Sequence, residues 1–356
     1  MKGFLEKQGV EFSFQIVFVQ AMGALAHGLF ASLLIGTIMR TMGEQIDGLA
    51  FLVEYANYAT GVTGAAMAVA VGYALKSPPF VLYSLLAVGA AANALGGAGG
   101  PLAVFVVALV AAYAGKLVSK TTPIDIILTP FVTIVVGVFL ATVIAPPIGN
   151  AAVQVGRLIM VTTELNPLVM GSFVSALMGF ALTLPISSAA LAASFSLTGF
   201  AGAAALAGCT AHMVGFAVAS YRENKIGGLM AQGLGTSMLQ IPNLLKKPSI
   251  AIPAIVASLV NGPVAIMVFD LQMNGPAIAS GMGTSGLVGP IGMITGWFSP
   301  SEAAILAGAS AITPTAFNWL GLIVVSVIVP AIVAFAVSEF MRSRDLIKFG
   351  DMQIEC

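Results

Sequence analysis

The chain has 356 residues, of which 58% are hydrophobic and only 8% charged, with 14 basic and 14 acidic side chains and a mean hydropathy of +1.02. Soluble chains carry about 25% charged residues, so this composition excludes a soluble domain and points to a bilayer as partner. Balanced charge leaves no basic stripe for nucleic acid. Two cysteines, Cys209 in an apolar run and Cys356 at the end, provide neither a disulfide framework nor a metal site, and no cofactor is expected.

The first residues, MKGFLEKQGVEFSF, are too charged and too far from a small-residue cleavage site to read as a signal peptide. Membrane spans, which need roughly 20 apolar residues, are expected at 14–39, 49–75, 80–95, 102–118, 127–148, 168–184, 189–207, 211–220, 250–269 and 317–340. GGAGG at 96–100 reads as a turn between two of them, and the more polar 150–164 as an amphipathic segment on the membrane surface. Residues 226–245 and 274–297 are glycine-rich and weakly hydrophobic, and Pro242, Pro248, Pro253, Pro263, Pro276 and Pro290 oppose continuous helix there. The expected fold is an all-α, polytopic transmembrane helical bundle of about eight to ten spans, with two re-entrant hairpins or broken helices and a solvated end at 341–356. Lys2, Lys7, Lys76, Lys116 and Lys120 fall on one face and Arg40 and Arg157 on the other. Arg342, Arg344 and Lys348 share the crowded face, which predicts cytoplasmic termini.

GLGTSMLQIP at 233–242 recurs as GMGTSGLVGP at 281–290. Irregular backbone survives at membrane depth only where it lines a protected cavity. Gly235 and Gly283 permit close approach of a ligand, while Thr236, Ser237, Thr284 and Ser285 offer hydroxyls that donate and accept. Gln240 and Asn243 follow the first copy. If each copy opens a half-helix, its free amides suit sugar hydroxyls or an anionic group; tight helix packing is the plainer role.

Further polar residues fall within or beside apolar runs. His27 and Glu54, with Gln15 and Gln20, lie in the first two spans, where a His–Glu pair would bind hydroxyls, relay a proton or tie helices together. Asp270 ends an apolar span. Asn274-Gly-Pro echoes Asn261-Gly-Pro, a turn signal. Thr183-Leu-Pro-Ile-Ser187-Ser188 reads as a third polar wall for the same cavity, and His212 as a packing or interfacial residue. Enzyme signatures such as HExxH, GxSxG or a phosphate loop do not occur.

These residues resemble the membrane subunit, component IIC, of bacterial phosphotransferase-system sugar transporters, nearest the fructose type. The match rests on residues 235–242 followed by Pro248 and Pro253, on TPFVTIVVGVFLATVIAPPIG at 129–149, and on MGFALTLPISSAALA. NPLVMG, GLGTSMLQIPN and GMGTSGLVGPIG further resemble a stand-alone branch named after a perfringolysin-O regulator (PfoR-like). The resemblance implies a single membrane domain, 1–356, with a scaffold part (1–120), a solute-carrying part (121–340) and a cytoplasmic tail (341–356). It implies an elevator-like permease for a sugar or sugar derivative, a homodimer in the bacterial cytoplasmic membrane, and separate phosphotransferase components as partners. The alternative is a membrane sensor that uses the same pocket to control gene expression. The family's glutamate aligns with Met238, which cannot act as a base, and its Asn-Lys pair with Ser187-Ser188.

Overall fold

The computed structural model describes residues 8–11 and 13–354. Cys356, Lys2 and Lys7 lie outside the described residues. The fold is all-α; among the described residues the only sheet-like pairing is an isolated bridge between Gly199 and Met273.

In chain order the helices are α1 (Gln15–Gln45), α2 (Phe51–Gly61), α3 (Thr63–Ala74), α4 (Pro79–Gly96), α5 (Gly100–Val118), α6 (Asp125–Thr163), α7 (Pro167–Thr183) and α8 (Ser188–Ser194). They continue as α9 (Gly199–Ala219), α10 (Tyr221–Met230), α11 (Ile241–Lys246), α12 (Pro248–Val268), α13 (Ala277–Ser280), α14 (Val288–Phe298), α15 (Glu302–Leu306) and α16 (Ala316–Ser343). Among the described residues six helical stretches are long and apolar enough to cross a membrane: α1, α4 with α5, α6, α9, α12 and α16. The α4–α5 stretch turns back on itself at Gly97, whose φ of 49° no β-carbon-bearing residue adopts easily. The chain is thus a multi-pass bundle.

Local chemistry starts several helices. Asn166 caps α7 by accepting from Val169 N at 3.0 Å, with Pro167 in the first turn. Thr315 and Asn318 form a reciprocal capping box on α16.

The chain packs as two units, Met1–Ala152 and Val153–Cys356, with α6 running through both. In the first unit α3 and α4 touch backbone to backbone: a Cβ on Gly64 would lie 2.4 Å from Gly89 O, and one on Gly89 would lie 2.2 Å from Gly64 O. In the second, α9 is buried along nearly its whole length among α7, α12 and α16. Lipid tails are as apolar as leucine, so close packing and interhelical hydrogen bonds hold such bundles together. A Cβ on Gly208 would lie 1.8 Å from Ser175 O, and one on Gly262 1.9 Å from Gly171 O. Ser175 Oγ donates to Ser258 O at 2.7 Å, and Asn261 Nδ2 donates to Ala207 O and Val325 O, both at 2.8 Å.

Several expectations need correction. Segments 189–207 and 211–220 are not two spans, because α9 runs unbroken from Gly199 to Ala219 after the short α8. Segment 49–75 breaks at Val62 (φ −100°, ψ 11°). Residues 150–163 continue the 39-residue α6 without a break. Asn261-Gly-Pro is no turn, since it lies inside α12, where the carbonyls of Ala207 and Val325 hold the amide.

Gly208→Val and Gly262→Val should each lower the melting temperature in detergent, at a cost of about 1–3 kcal/mol or more from overpacking. Gly61→Ala, where nothing lies within 4 Å of the new carbon, should stay within about 0.5 kcal/mol of wild type. Equal melting of all three variants would remove glycine-mediated contact as the source of helix pairing.

Candidate functional site

Both copies of the repeat break helix, as their composition predicts, yet they do so differently. The first leaves the turn Ala231–Gly235 through an extended Thr236 (φ −157°, ψ 141°). Thr236 Oγ1 then accepts from Met238 N at 3.2 Å and caps the tight turn Ser237–Gln240, which leads into α11. In the second copy Thr284 is compact (φ −83°, ψ 6°), and left-handed residues Gly283, Gly286 and Leu287 turn the chain into α14.

The copies meet each other and the same stretch of α9. Thr284 Oγ1 donates to Gly233 O at 2.5 Å and lies 3.6 Å from Met213 Sδ. A Cβ on Gly283 would come within 2.8 Å of the Cys209 backbone, so only glycine allows this approach. On the other side, Ser237 Oγ lies 2.8 Å from Thr183 Oγ1, itself 2.8 Å from His212 Nδ1. All three of these residues are fully buried. Thr183 has one hydroxyl proton and three polar neighbours, Gly179 O at 3.2 Å being the third. If it donates to that carbonyl, Ser237 and His212 Nδ1–H donate to it. His212 Nε2 has no hydrogen-bond partner, and Phe180 and Phe216 meet the ring edge-on. His212 is thus a packing residue within α9, beside both repeats. A buried orphan of this kind costs about 1–3 kcal/mol and marks an unfilled bonding position.

A second polar layer lies beyond the first repeat. Gln240 Nε2 donates to Gln232 Oε1 at 2.8 Å and Met352 O at 2.9 Å; Asn243 Nδ2 donates to Gln240 Oε1 at 2.9 Å and Gln353 O at 2.8 Å. Both residues thus hold the chain end, which corrects the expectation of a solvated tail. Ile347 and Met352 are buried, Lys247 pairs with Asp351 at 2.6 Å, and Arg342 pairs with Glu223 at 2.9 Å. Burial alone would raise the Asp351 carboxyl, but the hydrogen bonds from Lys247 and the Lys348 amide outweigh it and hold the group below its ordinary value.

The remaining expected residues scatter. Ser188 Oγ donates to Gly281 O at 2.7 Å and so joins the second repeat, whereas Ser187 caps α8. Gly235 and Ser285 are buried within the repeats. Asn274 is buried with its Oδ1 unpartnered. Asp270 is exposed beyond the end of α12 with φ 51°. His27 and Glu54 belong to the other packing unit, are both exposed, and make no hydrogen bond to each other. Gln232 and Asn261 went unread as buried polar ties, since nothing in their sequence surroundings separates them from other amides. Among the described residues no group of three or more His, Cys, Asp or Glu is placed to hold a metal ion.

A multi-pass bundle with a hydroxyl- and amide-lined break in its interior has the build of a membrane permease rather than a catalyst. The chain belongs to the family described as phosphotransferase system, EIIC, whose model matches residues 19–354. Proteins of this family are membrane components of sugar transport that work with other phosphotransferase-system proteins and a solute, and are not themselves enzymes. No curated protein and no solved structure matches the chain.

Thr183→Val should strand Ser237 and His212 Nδ1 and cost about 1–3 kcal/mol in thermal or denaturant unfolding, while Thr183→Ser retains most of the stability. A Thr183→Val/Ser237→Ala cycle with no coupling would show that the relay contributes nothing. For the chain end, the depressed Asp351 pKa means that its pairing stabilises the protein above the ordinary carboxyl value of 3.8 and is lost as pH falls through the lower folded value. Asp351→Asn should then raise tail cleavage by a nonspecific protease at pH 7, through a loss of about 0.2–1 kcal/mol, with wild type and variant converging in acid.

Proposed function

We propose that the chain is the permease of a bacterial phosphotransferase-type system, carrying a sugar or sugar derivative bound between the two repeats. The observation that carries this reading is that both repeats reach the same stretch of α9 through buried hydroxyls, Ser237 by way of Thr183 to His212 and Thr284 beside Met213, with His212 Nε2 left without a partner. A hydroxylated solute can enter such a place only if each hydroxyl finds a donor or acceptor. Thr236, Ser285 and Ser188 extend the hydroxyl lining. The amides near Gly235 and Gly283 lie in the helix breaks of the two repeats, and Asn274 lies in the connection before α13.

In this reading residues 1–120 act mainly as scaffold and 121–340 carry the solute, in a homodimer in the cytoplasmic membrane with both termini in the cytoplasm. Met238 offers no base where the family has glutamate, so solute phosphorylation would draw on a separate protein and another acid. His27, Glu54 and Asp270 take no part in the solute pocket.

Counterflow of labelled hexoses, hexitols and their phosphates in proteoliposomes tests the reading. One solute should exchange in wild type, and Thr284→Val should weaken its apparent affinity about tenfold, the equivalent of one hydrogen bond of about 1.4 kcal/mol. Folded protein that exchanges no solute in the panel would contradict it. A deletion strain with normal uptake but altered transcription would put the membrane sensor in its place.

A further inference from the structure

The amino-terminal packing unit contains a polar cavity of about 320 Å³ that the repeats do not touch. It opens between the segment at Gly9 and Glu11, the turn that follows α3, and the end of α5. Three lysines line it, Lys76, Lys116 and Lys120. Lys76 and Lys120 are exposed and sit just past the ends of α3 and α5, with φ of 53° and 59°. Lys116 is only 3% exposed; its Nζ donates to Leu75 O at 2.7 Å and also to Gly9 O, and lies 5.8 Å from the Tyr113 ring centre. An ammonium has three protons, so two are used on carbonyls and one is left.

Three ammonium groups line the cavity against one carboxylate. Among the described residues none of the three lysines makes an ion pair. Glu11 is the acid lining the cavity. The nearby Asp125 carboxylate is turned to Thr129 Oγ1 and the Lys120 amide, both at 2.6 Å. The C-terminal ends of α3 and α5, at about half a negative charge each, and the Asp125 carboxylate beside Lys120 soften that positive charge from outside the lining. Burial makes the Lys116 ammonium costly, and Glu11 is the single acid among the described lining residues, so a bound anion would stabilise it. The cavity walls are the ends of apolar helices, α3 at Ala74, α4 at Pro79 and α5 at Val118. Ends of apolar helices are where headgroup phosphates meet a membrane protein.

We propose that this cavity binds a phosphate group, supplied either by an anionic phospholipid headgroup or by a dissolved phosphate. The site is independent of the solute pocket and does not rest on the proposed transport function. Lys76 and Lys120 contact the anion from the rim, and the remaining Lys116 proton reaches it from the floor.

The test uses full-length, delipidated protein in neutral detergent. Phosphatidylglycerol, phosphatidylcholine and inorganic phosphate are each titrated while melting temperature is followed and retained lipid is counted by native mass spectrometry. Wild type should be stabilised by phosphatidylglycerol but not phosphatidylcholine, and Lys76→Gln/Lys120→Gln should bind it about tenfold or more weakly, two lysines having been neutralised. Stabilisation by inorganic phosphate, lost in the same variant, would assign the site to a dissolved anion. Lys76→Arg/Lys120→Arg keeps the charge and should retain binding even if the glutamine pair folds poorly. Absence of any anion effect on wild type, or equal binding by wild type and a folded glutamine variant, would overturn the proposal.

Discussion

Inside a bilayer no water is at hand to complete an unmade hydrogen bond, so a polar group beside α9 is either matched by another part of the chain or left at a cost. That constraint organises the second packing unit. Asn261 is tied to the carbonyls of Ala207 and Val325, Ser188 to Gly281, and Thr284 to Gly233. Each tie spans elements distant in sequence, so the helix breaks persist only because the surrounding bundle is in place. The groups left over among the described residues of this unit, His212 Nε2, Asn261 Oδ1, Asn274 Oδ1, Ser326 Oγ and Arg342 Nε, are then informative exceptions.

Close packing supplies the rest of the cohesion. Glycines 208 and 262 on adjoining helices let α7 approach α9 and α12 so tightly that no side-chain carbon fits between them. This proximity brings Thr183, at the end of α7, beside His212, two thirds of the way along α9. The relay through Thr183 therefore depends on backbone contact made elsewhere along the same helices. Glycine at 283 does for the second repeat what these glycines do for α7, seating the loop on Cys209.

Sequence likeness and structural likeness part company in two places. The two repeats share Gly-x-Gly-Thr-Ser, yet Thr236 is extended and caps its own turn, while Thr284 is compact and reaches across to the other copy. Asn-Gly-Pro lies within helix α12 at 261 and in a non-helical connection at 274. Short motifs list the conformations a segment can adopt; neighbours choose among them, because a buried amide goes where an unpaired carbonyl waits. The docked chain end follows the same logic. Residues 341–354 are polar enough to pass for a solvated tail, but carbonyls of Met352 and Gln353 answer the amides of Gln240 and Asn243.

Composition and apolar run length alone determined that this chain is a helical, multi-pass membrane protein, since backbone polarity leaves few ways to cross lipid. Its motifs determined the family and the two helix-breaking repeats, because glycine and proline act locally. Tertiary structure decided which polar residues meet. It brought Thr183, His212 and Ser237 together, gave Gln240 and Asn243 to the chain end, and left Asp270, His27 and Glu54 on exposed surfaces. Such pairings join residues tens of positions apart through helix contacts that depend on small side chains, and no local pattern in the sequence encodes them.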